Sequence, residues 1–177
     1  MAIKKTQQGF ALLISVIFMS VMLTFGLALA SLAYKQQILA SNAIESQYAF
    51  YAADAALECT LYADQQQNLF DYATHSLSAP SFITSVACAD SSTYPTRDLG
   101  YFSASGNTYT DSQRFSLDNG KHCADVTIYK SSPGSGKATY IFSQGYNVPC
   151  ASVDNAATGG NESRLVSRGL SAHYGGN

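Results

Sequence analysis

The side chains best suited to chemistry in this chain are four cysteines, three histidines, a lysine in a glycine loop and a run of oxygen donors. Cys59, Cys88, Cys123 and Cys150 are widely spaced, with no Cys-x-x-Cys pair and no clustered histidines. Metal chelation by short loops needs such pairs, so the cysteines do not read as metal ligands. An even number of cysteines behind an export signal reads instead as two disulfides formed in an oxidising compartment. His75, His122 and His173 lie in different predicted elements without paired ligand spacing, and read as surface or partly packed histidines. Asp154, Asn155, Asn161 and Glu162 could offer oxygens to calcium, but the regular spacing of a calcium loop is absent and a solvated turn accounts for them. Asn161-Glu162-Ser163 matches a glycosylation acceptor triplet. Gly134-Ser135-Gly136-Lys137 resembles the end of a phosphate-binding loop, yet the first glycine falls at Ser131 and the hydroxyl after the lysine at Ala138, which leaves a flexible hairpin loop. No cofactor, metal or catalytic residue is expected, and the chain is not expected to be an enzyme.

These residues are carried by a chain of 177 residues, enough for one domain and an anchor. Its ten Lys and Arg are scattered and form no basic stripe, so a nucleic-acid partner is not expected. Twelve tyrosines supply large, amphipathic contact area, assigned mainly to packing, with a surface or host adhesion target as the alternative use.

Residues 10–34, FALLISVIFMSVMLTFGLALASLAY, hold no charge over twenty-five positions and are bracketed by Lys4 and Lys5 before and Lys35 after. As a helix rising ~1.5 Å per residue, the run exceeds a ~30 Å hydrocarbon core. The leading lysines favour the cytoplasmic side, which places everything after Lys35 outside the cytoplasm. Ala28-Leu29-Ala30 before Ser31 is an acceptable signal-peptide cleavage site, but the apolar run outlasts a signal core of ~7 to 15 residues. From Lys35 to about Phe70 there is no Pro or Gly, and Ile44, Tyr48, Tyr51, Ala55, Cys59 and Tyr62 recur at spacings of three and four. One helix of roughly sixty residues is predicted, apolar all round in 10–34 and one-sided in 35–72. Lipid or other helices must cover the first part, and a compact domain the stripe of the second.

Beyond it, 73–112 reads as a connecting region with short elements, broken by Pro80 and Pro95, and 113–177 as an antiparallel sheet. Strands are expected at 114–117, 123–129, 138–148 and 164–173, with a tight turn at Asp118-Asn119-Gly120, where Asn-Gly suits positive backbone angles. The fold class is α+β, the one-sided half of the helix covering the apolar face of the sheet. Four cysteines allow three pairings. The first choice is Cys59 to Cys88, which would staple the connecting region to the helix, with Cys123 to Cys150. A simple hairpin register instead places Cys123 opposite Gln144.

Lys4-Lys5-Thr6-Gln7-Gln8-Gly9-Phe10, the apolar run after it and Tyr51-Ala52-Ala53-Asp54-Ala55-Ala56-Leu57-Glu58 together resemble a type IV prepilin. The resemblance covers about 60 residues. It implies a leader of residues 1–9, cleavage between Gly9 and Phe10 by a prepilin peptidase, N-methylation of Phe10 and a pilin-like fold. The implied partners are the membrane before assembly, an inner-membrane assembly platform and other pilin subunits. The implied destination is an extracellular pilus or a periplasm-spanning filament. Removing nine residues leaves 8 basic against 12 acidic side chains. The family usually places Glu at the fifth mature position, here Ile14, and residues 10–34 hold no carboxylate at all. That departure points to a minor or tip subunit. A secretion pseudopilin, and a soluble binding protein released after Ala30, remain the alternatives.

Overall fold

The computed structural model describes residues 7–71, 85–88, 93–99, 103–105, 108–159 and 165–175. Its elements in chain order are α1 (Gln7–Gln67), β1 (Ser85–Ala87), β2 (Thr93–Asp98), β3 (Ser103–Ser105), β4 (Thr108–Leu117), β5 (His122–Ser131), β6 (Thr139–Tyr146), α2 (Cys150–Ala157) and β7 (Ser167–Tyr174). The chain divides into two compact units, residues 1–43 and 44–177.

The first unit carries the apolar stretch of α1. That stretch is long and apolar enough to cross a membrane, and none of its most apolar window is buried by the chain itself. Its hydroxyls raise no conflict with apolar surroundings, because Ser15, Ser20, Thr24 and Ser31 each donate 2.8 Å bonds to the carbonyl three residues back.

The second unit is a long antiparallel sheet packed on the C-terminal part of α1, which establishes the α+β class. Strand order is β1-β2-β4-β5-β6-β7, with β3 also pairing to β4. The region 73–112 therefore carries more of the sheet than its Ser- and Thr-rich composition suggested, including the start of β4 at Thr108, six residues before the expected strand. Pro80 lies outside the described residues, and Pro95 sits in β2, near the edge of the sheet, opposite Ser85.

One face of the sheet meets the helix through Phe115, Val126, Ile128 and Ile141, with Phe70 and Val86 in the same core. The helix face that meets them differs from the expected stripe. Ile44, Tyr48 and Tyr51 are exposed, and the buried seam is Ala49, Ala52, Ala53, Ala56, Cys59 and Ala63. The physical reason is close approach. Gly145, next to last in β6, lies so near α1 that a Cβ there would fall 2.2 Å from the Ala49 carbonyl oxygen and 2.3 Å from the Ala53 nitrogen. Only alanines fit opposite it, and the Ser143 hydroxyl donates to the Ala53 carbonyl at 2.8 Å. Periodicity had identified a one-sided helix but selected its large residues, whereas the packed face is the small one.

Asn68 ends α1 with a left-handed backbone (φ 50°), and the Leu69 N–H donates back to Ala63 at 3.1 Å. The β4–β5 hairpin turns through Asp118, Asn119 and Gly120, all with positive φ, at the place expected for a tight turn. Its register sets Cys123 of β5 beside Tyr146 of β6, and Gln144 opposite Asp125, two residues from the simple hairpin expectation.

Candidate functional site

Three features of the described residues offer surfaces or chemistry: the bare helix, an aromatic groove and a charge network. On α1, Phe10 is 69% exposed and Ile14 48%, and the residues through Tyr34 are likewise uncovered. Gly9 lies in the first turns of α1, and Lys4 and Lys5 lie outside the described residues. The helix runs without a break through Ala30 and Ser31. The first carboxylate after Phe10 is Glu45, which accepts a 2.8 Å bond from the Asn147 amide. Ser46 beside it accepts a 2.7 Å bond from Arg168 of β7. The first acid on the helix is thus engaged by the connection that follows β6.

The groove, of about 810 Å³, lies beside α1 and the β4–β5 hairpin and is lined by Tyr48, Tyr51 and Tyr94 together with Asp118, Asn119 and His122. Tyr48 stacks on the His122 ring at a centroid distance of 5.2 Å. Tyr48 and Tyr51, on the stripe that periodicity assigns to the core, line this groove instead.

The charge network joins four elements. Arg114 of β4 forms a two-pronged pair with Asp125 of β5, at 2.5 and 2.6 Å, and also binds Asp154 of α2. Arg97 of β2 holds both oxygens of Asp154, at 2.8 and 2.9 Å. The Arg97 hydrogen bond, with the nearby Arg114 charge, lowers the Asp154 carboxyl pKa. Burial, and then the Asp125 charge, push the Tyr146 hydroxyl up to about 12. Asp154 and Asn155 are helical residues, not loop residues, and guanidinium groups already meet the Asp154 oxygens. Asn161, Glu162 and Ser163 lie outside the described residues.

Both disulfides of the first choice are present, Cys59–Cys88 and Cys123–Cys150. The second forms in spite of the strand register because Cys150 is not in β6. It opens α2, which returns over the face of β4 and β5 opposite α1 and brings Cys150 to Cys123. The two described histidines do not meet. His122 meets Tyr48, His173 in β7 stacks on Tyr140 at 5.8 Å, and His75 lies outside the described residues. Among the described residues no three His, Cys, Asp or Glu side chains are placed to hold a metal ion. Gly134 and Gly136 both take positive φ in the β5–β6 loop, where Ser135 N–H donates to Ser132 in a tight turn, the geometry of a hairpin connection.

Sequence reasoning missed Gly145, whose signal was available as a lone glycine inside an otherwise β-rich strand. It also missed the Asp64–Lys130 pair, which joins α1 to β5 across 66 positions of sequence. No local pattern could have exposed that pair. No protein-family model, curated protein or solved structure matches this chain.

Proposed function

We propose that this chain is a structural subunit of a type IV pilus or related filament, held in the membrane as a precursor, cut between Gly9 and Phe10 and assembled through its N-terminal helix. The observation that carries the reading is the uncovered apolar surface of residues 10–34, continuous in one helix with the segment that packs on the sheet. A surface of that extent needs lipid or partner helices around it. Assembly exchanges the first for the second, and small residues such as Gly26, Ala28 and Ala30 set how closely neighbouring helices approach. Gly26 has open space around it on the isolated chain. The role is mechanical, and two disulfides fit an oxidising exterior.

Within such a filament the chain is a minor subunit at or near the tip. An ammonium buried among apolar helices is costly, and a carboxylate near the mature N-terminus offsets that cost for the subunit ahead. Ile14 cannot do so, and Glu45 lies about 46 Å further along a straight helix and is engaged by Asn147. A subunit lacking this carboxylate is disfavoured wherever another stands above it, and at the tip none does. N-terminal sequencing of the mature protein tests the assignment. A start at Phe10 supports it, and a start at Ser31 replaces it with a secreted soluble protein. Gold labelling of an outer-domain epitope tests position, since dense labelling along the whole shaft refutes the tip.

A further inference from the structure

One carboxyl group in the helix-and-sheet unit is sealed from water. The Asp64 side chain, near the C-terminal end of α1, has 0% exposure, and its Oδ1 is met by the amine of Lys130 from β5. Its second oxygen, Oδ2, is buried without a hydrogen-bond partner among the described residues. An ionised carboxylate out of water is costly unless several donors surround it, and the described residues give this one a single amine. Lys130 stands opposite Tyr109, which is fully buried and donates its hydroxyl to the Phe70 carbonyl. Burial raises the Asp64 carboxyl pKa in spite of the lysine, which favours the neutral acid. Transfer of one proton along the existing hydrogen bond turns the ion pair into an amine and a carboxylic acid in contact.

We infer that Asp64 and Lys130 condense into an intramolecular isopeptide bond that staples α1 to β5. The lone pair of the neutral Lys130 Nζ attacks Asp64 Cγ, a C–N bond forms, and one C–O bond breaks. The departing hydroxyl takes a proton from the amine and leaves as water. No electrons are exchanged, and the amide plus water hold the same atoms as the ion pair. In bulk water such a condensation is disfavoured, but groups fixed in contact reach effective molarities of about 10⁵ to 10⁸ M. The product removes both charges of the pair from the interior. It also links the helix to the sheet covalently, near the helix end opposite the membrane segment. The bond does not depend on the filament reading.

The test is intact-mass analysis of the full chain, purified in detergent with its disulfides reduced, followed by tryptic mapping. The expected result is a mass lower by one water. Peptides 36–97 and 122–137 should be recovered as one branched species, uncut after Lys130. Lys130→Arg should restore the full mass and the cleavage, since a guanidinium does not serve as the nucleophile. Wild-type chain of full mass, with the two peptides separate and linear, overturns the proposal. So does a water loss that maps to other residues.

Discussion

The contact of Gly145 with α1 gives the sharpest test of how the helix is seated on the sheet. In Gly145→Ala the new Cβ would lie 2.2 Å from the Ala49 oxygen, 2.3 Å from the Ala53 nitrogen and 2.9 Å from the Ala53 Cα. All three are backbone atoms, so no rotamer change relieves them, and strand and helix must part by about 1 Å to recover ordinary contact. Overpacking of this kind costs ~1 to 3 kcal/mol. The same displacement stretches the Ser143–Ala53 hydrogen bond, 2.8 Å in the native chain, a further loss of ~1 kcal/mol. The sum, about 2 to 4 kcal/mol, corresponds to a fall in Tm of roughly 10 °C for a domain of this size. Gly169→Ala is the internal control. It stands on the neighbouring strand opposite Gln144, and its Cβ would meet nothing nearer than 3.9 Å. Because alanine narrows the unfolded ensemble, that variant should be neutral or gain up to ~1 kcal/mol. Thermal melts of both full-length proteins in the same detergent, followed by circular dichroism, separate the cases. If Gly145→Ala melts within about 2 °C of the parent, the helix is not seated on that glycine and the small-residue seam is wrong.

Three further outcomes are expected. Replacing Cys59 and Cys88 together by Ser opens a 29-residue separation and should lower stability by about 3 to 4 kcal/mol, chiefly by freeing the unfolded chain; an unchanged denaturation midpoint would count against it. Asp154 has a depressed folded-state pKa, set first by the Arg97 hydrogen bond, so its contribution is present above the ordinary carboxylate range and is lost as pH falls through its own lower value. The Tm difference between wild type and Asp154→Asn should therefore shrink at the acid end of a pH series, and a gap that persists unchanged at the lowest pH argues against the pairing. Gly9→Leu should block processing and leave precursor in the membrane, whereas continued cleavage between positions 9 and 10 in an immunoblot and sequencing assay would remove the leader assignment.

Much of this protein is legible without coordinates because its strongest signals are local. The charge-free run from Phe10 to Tyr34, and the absence of Pro and Gly from Lys35 to Phe70, announce a helix that the structure extends from Gln7 to Gln67. Asp118-Asn119-Gly120 announces its turn because few residues accept positive φ. The short strands between Ser85 and Ser105 were less visible, since their Ser- and Thr-rich sequence carries little apolar alternation and each is held by pairing to a neighbour. The seating of α1 was decided in three dimensions. Hydrophobic periodicity points to large side chains, but at Gly145 two backbones approach until only alanine fits, which leaves Tyr48 and Tyr51 to line a groove. The bridge from Cys123 to Cys150 depended on α2 folding back over the sheet, and the meeting of Asp64 with Lys130 on a helix and a strand 66 residues apart. Contacts of that separation leave no trace in a local pattern, because only the packed chain brings their partners to one place.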